Sequence, residues 1–200
     1  MMRILACSDL HCDQDVTRRI LALAGDVDAL VVAGDLAIEG HGALPILTLL
    51  RAQPRPVVIV PGNHDNLTQM RAFCQDWASG HLLHGEGVTL RGTTFFGLGG
   101  EIPRSGDALW NLGLTEAQAT AKLADCPDGA VLITHSPPKG HCDRRENGAQ
   151  DGSQAVLKTI QAKQPRLHLC GHIHASFGES SRVGECGIYN LGKSAQAFSV

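Results

Sequence analysis

Five short apolar runs punctuate this chain, and each gives way within a few residues to a turn that carries Asp, Asn or His. The runs are Ile4-Leu5-Ala6-Cys7, Ala29 to Ala33, Val57 to Val60, Ala130 to Ile133 and Leu167 to Cys170. Uninterrupted runs of this length, bounded by turn residues, read as strands covered on both faces. Between them lie segments of helical periodicity around 14–23, 42–53, 66–78, 115–124 and 152–163. The fourth opens on Thr115-Glu116-Ala117-Gln118, a capping-box pattern. Strand and helix in alternation mean βαβ units with parallel strands. The stretches 81–98 and 181–191 differ, because β-branched and aromatic residues there are broken by Gly85, Gly87, Gly92, Gly184 and Gly187, and they read as hairpins. The expected fold is α/β, a four-layer αββα sandwich of two mixed β-sheets flanked by helices.

A chain of 200 residues is long enough to bury its own core, and residues 1–200 read as a single domain. The 4% aromatic content implies a core of Leu, Val, Ile and Ala. A formal charge of −3 argues against a nucleic-acid polymer as the main partner, since such binders carry a basic face. No run of 18 apolar residues is present, so no membrane span is expected. The seven cysteines are odd in number, form no C-x-x-C pair and follow an N-terminus without a basic and apolar leader. Reduced thiols in a cytoplasmic protein are the expectation.

In an α/β sheet, side chains just beyond the carboxyl ends of the strands converge on one crevice. Here those positions hold Asp9-Leu10-His11, Gly34-Asp35, Gly62-Asn63-His64-Asp65, Thr134-His135-Ser136 and Gly171-His172-Ile173-His174. Taken singly, each has a bland reading: an Asp after a strand commonly caps the next helix, and a lone His is more often structural than catalytic. Five such clusters at five strand ends are a different matter. Carboxylates, imidazoles and one amide oxygen form the mixed N/O field that suits Zn²⁺, Mn²⁺ or Fe, and a binuclear hydrolytic site at the strand C-terminal ends is the leading expectation.

The motifs D-x-H, G-D, G-N-H-D, T-H and G-H-x-H, in this order, resemble the calcineurin-like metallophosphoesterase family. The likeness runs from residue 4 to about 192, where Tyr189-Asn190-Leu191-Gly192 is similar to the family's usual last strand. The stretches Thr134 to Pro138 and Gly152-Ser153 through Pro165 to His174 resemble its small single-domain phosphodiesterases. The resemblance implies two divalent metals (Mn, Fe or Zn), with Asp9, His11, Asp35 and His174 around one, Asp35 bridging, and Asn63, His135 and His172 completing the other. It also implies that His64 is no ligand but sits with Asn63 beside the substrate phosphate. A bridging hydroxide would then attack in line between two metals about 3.5–4 Å apart.

Many members of the family place an Asp three residues after the bridging one to orient the catalytic histidine, and here that position is Ile38. Glu39 and Asp65 are the remaining candidates, with Asp65 carried as a catalytic partner of His64. The irregular stretch Gly99–Leu114 reads as a substrate lid, and its Arg104 as a possible phosphate contact. The expected activity is hydrolysis of small phosphodiesters, cyclic nucleotides or related esters among them. A phosphomonoesterase, a protein phosphatase, a nuclease and a non-catalytic scaffold of the same fold are the alternatives. The sequence carries no signal for oligomeric state.

Overall fold

The computed structural model describes residues 1–200. The first three apolar runs form β1 (Arg3–Cys7), β2 (Ala29–Ala33) and β3 (Val57–Val60), parallel neighbours joined through α1 (Gln14–Ala22) and α2 (Ala43–Arg51). Next, α3 (Leu67–Cys74) leads into β4 (Gly80–Leu82), which pairs parallel to β3. A hairpin of β5 (Glu86–Leu90) and β6 (Thr93–Leu98) opens a second sheet. It continues in parallel through α4 (Glu116–Leu123), β7 (Val131–Thr134), α5 (Gln154–Lys163) and β8 (Leu167–Cys170). The hairpin of β9 (Ser180–Val183) and β10 (Cys186–Asn190) completes that sheet, with β10 parallel to β8. Finally β11 (Gln196–Ser199) returns to the first sheet, antiparallel to β1.

Period-two alternation sorts the buried strand residues into layers. Leu5, Cys7, Leu30, Val32 and Ile59 pack with Ile20, Ile46, Leu47 and Met70 of α1 to α3. Their neighbours Ile4, Ala6, Val31, Ala33, Val58 and Val60 face inward against Phe95, Val131, Ile133 and Leu169 of the second sheet. On that sheet's far side, Phe96, Leu98, Leu132 and Ile188 pack with Ala119, Leu123, Val156 and Ile160 of α4 and α5. The four-layer sandwich follows. Both faces of the central strands are covered, which is why they read as continuous apolar runs.

Two details correct the sequence reading. The stretch 81–98 is not one hairpin, because His81 and Leu82 belong to β4 in the first sheet. Gly85, with φ +88°, makes the turn between sheets and donates its N–H to Gly97 O. Secondly, the chain does not finish at the Tyr189–Gly192 segment, since β11 follows it. No helix is long and apolar enough to cross a membrane.

Candidate metal centre

The loops after β1 and β2 are zipped together by backbone hydrogen bonds. Asp9 N–H donates to Gly34 O, His11 N–H to Asp35 O and Cys12 N–H to Leu36 O, each at 2.9 Å. This pairing holds Asp9 (φ 55°), His11 (φ 43°) and Asp35 (φ 55°) in the left-handed region, and His172 (φ 69°) joins them after β8. Left-handed backbone at non-glycine residues is uncommon and clusters at functional sites, where surrounding structure holds the strain. The glycines let the loops close in. A side chain at Gly34 (φ +97°) would collide with the His135 ring and the Gly62 backbone, and one at Gly171 with the Asp9 carboxylate.

The sheets then place their ligand atoms together. Those of Asp9, His11 and His174 lie within 4.8 Å of one another, as do those of Asp9, Asp35 and His135. His11 Nε2 stands 3.4 Å from His174 Nε2, and His135 Nε2 stands 3.1 Å from Asn63 Oδ1 and 3.3 Å from Asp35 Oδ2. His172 packs against His135, ring centroids 5.0 Å apart, and gives its backbone N–H to the Asp9 carboxylate at 3.2 Å. Its Nε2 faces Glu101 Oε1 at 3.7 Å.

The tautomers decide what this arrangement can hold. His11 Nδ1 lies 3.1 Å from Ala37 O and His135 Nδ1 lies 2.8 Å from Ala33 O, and a carbonyl can only accept. Both rings therefore carry a proton on Nδ1 and turn Nε2 inward, toward carboxylate oxygens, an amide oxygen and another imidazole. So many potential acceptors at this range ask for positive charge between them, which a metal ion, or in its absence a proton on Nε2, supplies. The donor set fits divalent metal, with each imidazole oriented by a backbone carbonyl behind it.

The titration tendencies point the same way. Burial alone would lower the His135 imidazole, but the charge and hydrogen bond of Asp35 outweigh it and push it up to about 10. Asp35 in turn is held well below the usual carboxylate range, burial opposing and His135 prevailing. His172 is pushed down to about 4, by burial first and by the neighbouring charge of His135 second. The protein's own anions demand positive charge at this point.

His64 and Asp65 follow β3 and part company. His64 is half-buried, its backbone N–H donates to Asp35 Oδ1 at 2.9 Å, and its ring lies edge-on to His11. Asp65 is buried, and its oxygens accept from Ala37 N–H (2.8 Å) and Gly62 N–H (2.7 Å). Its carboxylate thus braces two loops and is not the partner that orients His64, which corrects the expected catalytic role. Burial, and then Asp35, push that carboxyl up to about 7. Glu39 does meet His64, through its backbone: Glu39 N–H donates to His64 Nδ1 at 3.0 Å.

The stretch 99–114 is bolted down instead of hinged as a lid. Gly100 N–H donates to Pro61 O, Glu101 N–H to Leu112 O, Leu112 N–H to Asn63 O and Leu114 N–H to Glu101 O, and Ile102 is buried. It supplies two groups whose roles the sequence does not reveal. Glu101, buried, accepts from Ser105 and Asn111 and faces His172, while Trp110 stacks on His64. Arg104, expected at the phosphate, is exposed and donates to Ala108 O at 3.2 Å within its own loop. A cavity of about 460 Å³ beside the centre is lined by Arg145, Glu146, Asn147 and the stretch from His172 to Ala175.

Comparison with known proteins bears on family and fold. The profile of the calcineurin-like phosphoesterase family matches residues 2–176. A UPF0046 protein of Caenorhabditis elegans is 35% identical, over 88% of this chain and 65% of its own length. The human metallophosphoesterase domain-containing protein 1 is 34% identical, over 59% of this chain and 35% of its own. The chain thus spans less than two thirds of these relatives. Among solved structures, the TT1561 protein of Thermus thermophilus shares the fold with a TM-score of 0.78 at 19% identity, covering 98% of both chains.

Proposed function

Because this chain belongs to the calcineurin-like phosphoesterase family, we propose that it hydrolyses small phosphodiesters at a two-metal centre. One observation carries the reading: candidate ligand atoms of Asp9, His11, Asp35, Asn63, His135 and His174 converge across the seam between the sheets. His172, beside His135, completes the set of residues that would hold the metals. Two divalent ions held there, Mn²⁺, Fe²⁺ or Zn²⁺, would supply Lewis acidity toward phosphoryl oxygens and toward water.

The chain's own groups do the rest. Ala33 O and Ala37 O fix the ring directions of His135 and His11, and the N–H groups of His64 and His172 hold the Asp35 and Asp9 carboxylates. Since His64 Nδ1 accepts from Glu39 N–H, its proton sits on Nε2, ready for an oxygen of the substrate. The cavity beside His172 and His174 is of small-molecule size.

Diesters are favoured by what the nearby guanidiniums already do. Arg104 donates into its own loop and Arg145 is ion-paired with Asp151, which leaves the additional charge of a monoester dianion unmatched by either. The test is kcat/KM of manganese-loaded protein on a nitrophenyl diester and the matching monoester. The diester is expected to win. A monoester preference of tenfold, about 1.4 kcal/mol in transition-state binding, would reverse the substrate class. No turnover of either by protein that carries metal would reject the esterase reading itself.

A further inference from the structure

His64 is held from three directions, by a turn, by the edge of another imidazole and by the face of an indole. A tight turn joins Ile38 to His41, each N–H donating to the other's O at 2.9 Å, with Glu39 (φ 48°) and Gly40 (φ +83°) at its corners. Two consecutive positive φ values define a type I′ turn. The turn aims both corner N–H groups at His64: Glu39 N–H reaches the ring Nδ1 at 3.0 Å, and Gly40 N–H reaches the backbone O at 2.8 Å. His11 stands edge-on at 5.3 Å and 86°. On the remaining side lies the Trp110 indole, centroid to centroid 4.6 Å and tilted by only 22°. The Trp110 Cβ in turn rests against Gly40, where an added side chain would lie 3.6 Å away.

These contacts divide the task. The Glu39 N–H chooses which edge of the imidazole faces the turn, since a half-rotation would present a C–H to it. A single hydrogen bond to one end of a half-buried ring does not fix the plane of that ring. The stacked indole does, because two aromatic faces in contact hold each other near parallel. At position 38, Ile offers no carboxylate that would do the same from the polar side.

We infer that Trp110 is a positioning residue for His64, setting its ring plane so that Nε2–H addresses the substrate. The inference rests on the proposed phosphodiesterase reading for what His64 acts upon, but not for where His64 points. Trp110 is anchored for this duty by its own segment, whose Leu112 N–H donates to Asn63 O, immediately before His64.

The experiment combines Trp110→Ala, Trp110→Phe, His64→Ala and the double variant His64→Ala/Trp110→Ala. Each is assayed on one diester with a poor leaving group and one with a good one. Trp110→Ala is expected to lower kcat/KM on the poor leaving group by about 10-fold to 100-fold with metal content unchanged, and Trp110→Phe to restore most of it. In the His64→Ala background the same replacement should cost nothing more, which is the signature of action through His64. Nitrogen and proton NMR of zinc-loaded protein should show His64 as the single Nε2–H tautomer with ring protons moved upfield by the indole. In Trp110→Ala the tautomer should persist, because Glu39 N–H sets it, but the His64 ring signals should broaden as the ring plane is released, and Trp110→Phe should keep them sharp. A loss that persists in the His64→Ala background would overturn the inference and make the indole a substrate platform. An unchanged His64 line shape in Trp110→Ala would overturn it too, even if the wild-type protein turned over neither diester.

Discussion

Asp35 commits both of its oxygens. Oδ1 accepts the His64 N–H at 2.9 Å, while Oδ2 lies 3.3 Å from His135 Nε2 and 3.7 Å from His11 Nε2, rings that fall in different groups of candidate ligands. Asp35→Asn is therefore expected to weaken retention of both metals together, as elemental analysis after gel filtration would show; a full complement of two would refute the shared role. His64→Ala should instead keep its metals and lose about 10²-fold in turnover, the usual scale for one acid–base group. The loss should shrink with leaving groups of low pKa, where proton donation matters less. Which side chains gather at the centre is legible in the sequence because strand-end position and residue type suffice. Ring direction is not, since it depends on carbonyls at Ala33 and Ala37, and those meet His135 and His11 only after folding. Asp65 escapes the sequence for a similar reason: adjacency to His64 along the chain says nothing of the amides of Gly62 and Ala37 that its carboxylate binds.

Among the elements, α4 and α5 share a cap. The α4 capping box predicted from Thr115 and Gln118 is formed, but Glu116 reaches further. Its carboxylate accepts from Ser153 Oγ (2.9 Å), Gln154 N–H (2.9 Å) and Ala155 N–H (2.7 Å), closing the N-terminus of α5. Negative charge at that end suits both the free N–H groups and the helix dipole. Glu116→Ala should cost about 1–3 kcal/mol in urea unfolding, the penalty for unpaired amides, and Glu116→Gln, which keeps an acceptor, should cost less. A destabilisation equal for both variants would assign the effect to charge alone. The capping box is visible because its residues are three apart, whereas the Glu116 contacts span 37 to 39 positions. The unexpected edge strands β4 and β11 are hidden differently: at three and four residues, lacking a continuous apolar run, they give periodicity little to detect.

For the molecule as a whole, acid stability should turn partly on His168. It lies fully buried in β8, Nε2–H donating to Thr134 Oγ1 at 2.8 Å and Nδ1 without a partner. Burial pushes it down from 6.5 to about 3. As pH falls through 6.5 the unfolded chain takes up this proton first, so stability is intact above that value and drains away down to about 3. Each unit of pH inside the window is worth up to about 1.4 kcal/mol. His168→Gln keeps a donor for Thr134 without a titrating ring, and its unfolding free energy should fall less steeply than that of the wild type as pH drops below 6.5; parallel slopes would disprove it. The two sheets carry a different consequence. The chain crosses from one to the other between Leu82 and Glu86, and returns only after Asn190. Asp9, His11, Asp35 and Asn63 precede the crossing, while His135, His172 and His174 follow it. A break at Leu83 to Gly85 would yield two fragments with incomplete ligand sets, each a poor chelator alone. Metal capture would then report their reunion, as a key held in two pieces turns only when both are in the lock.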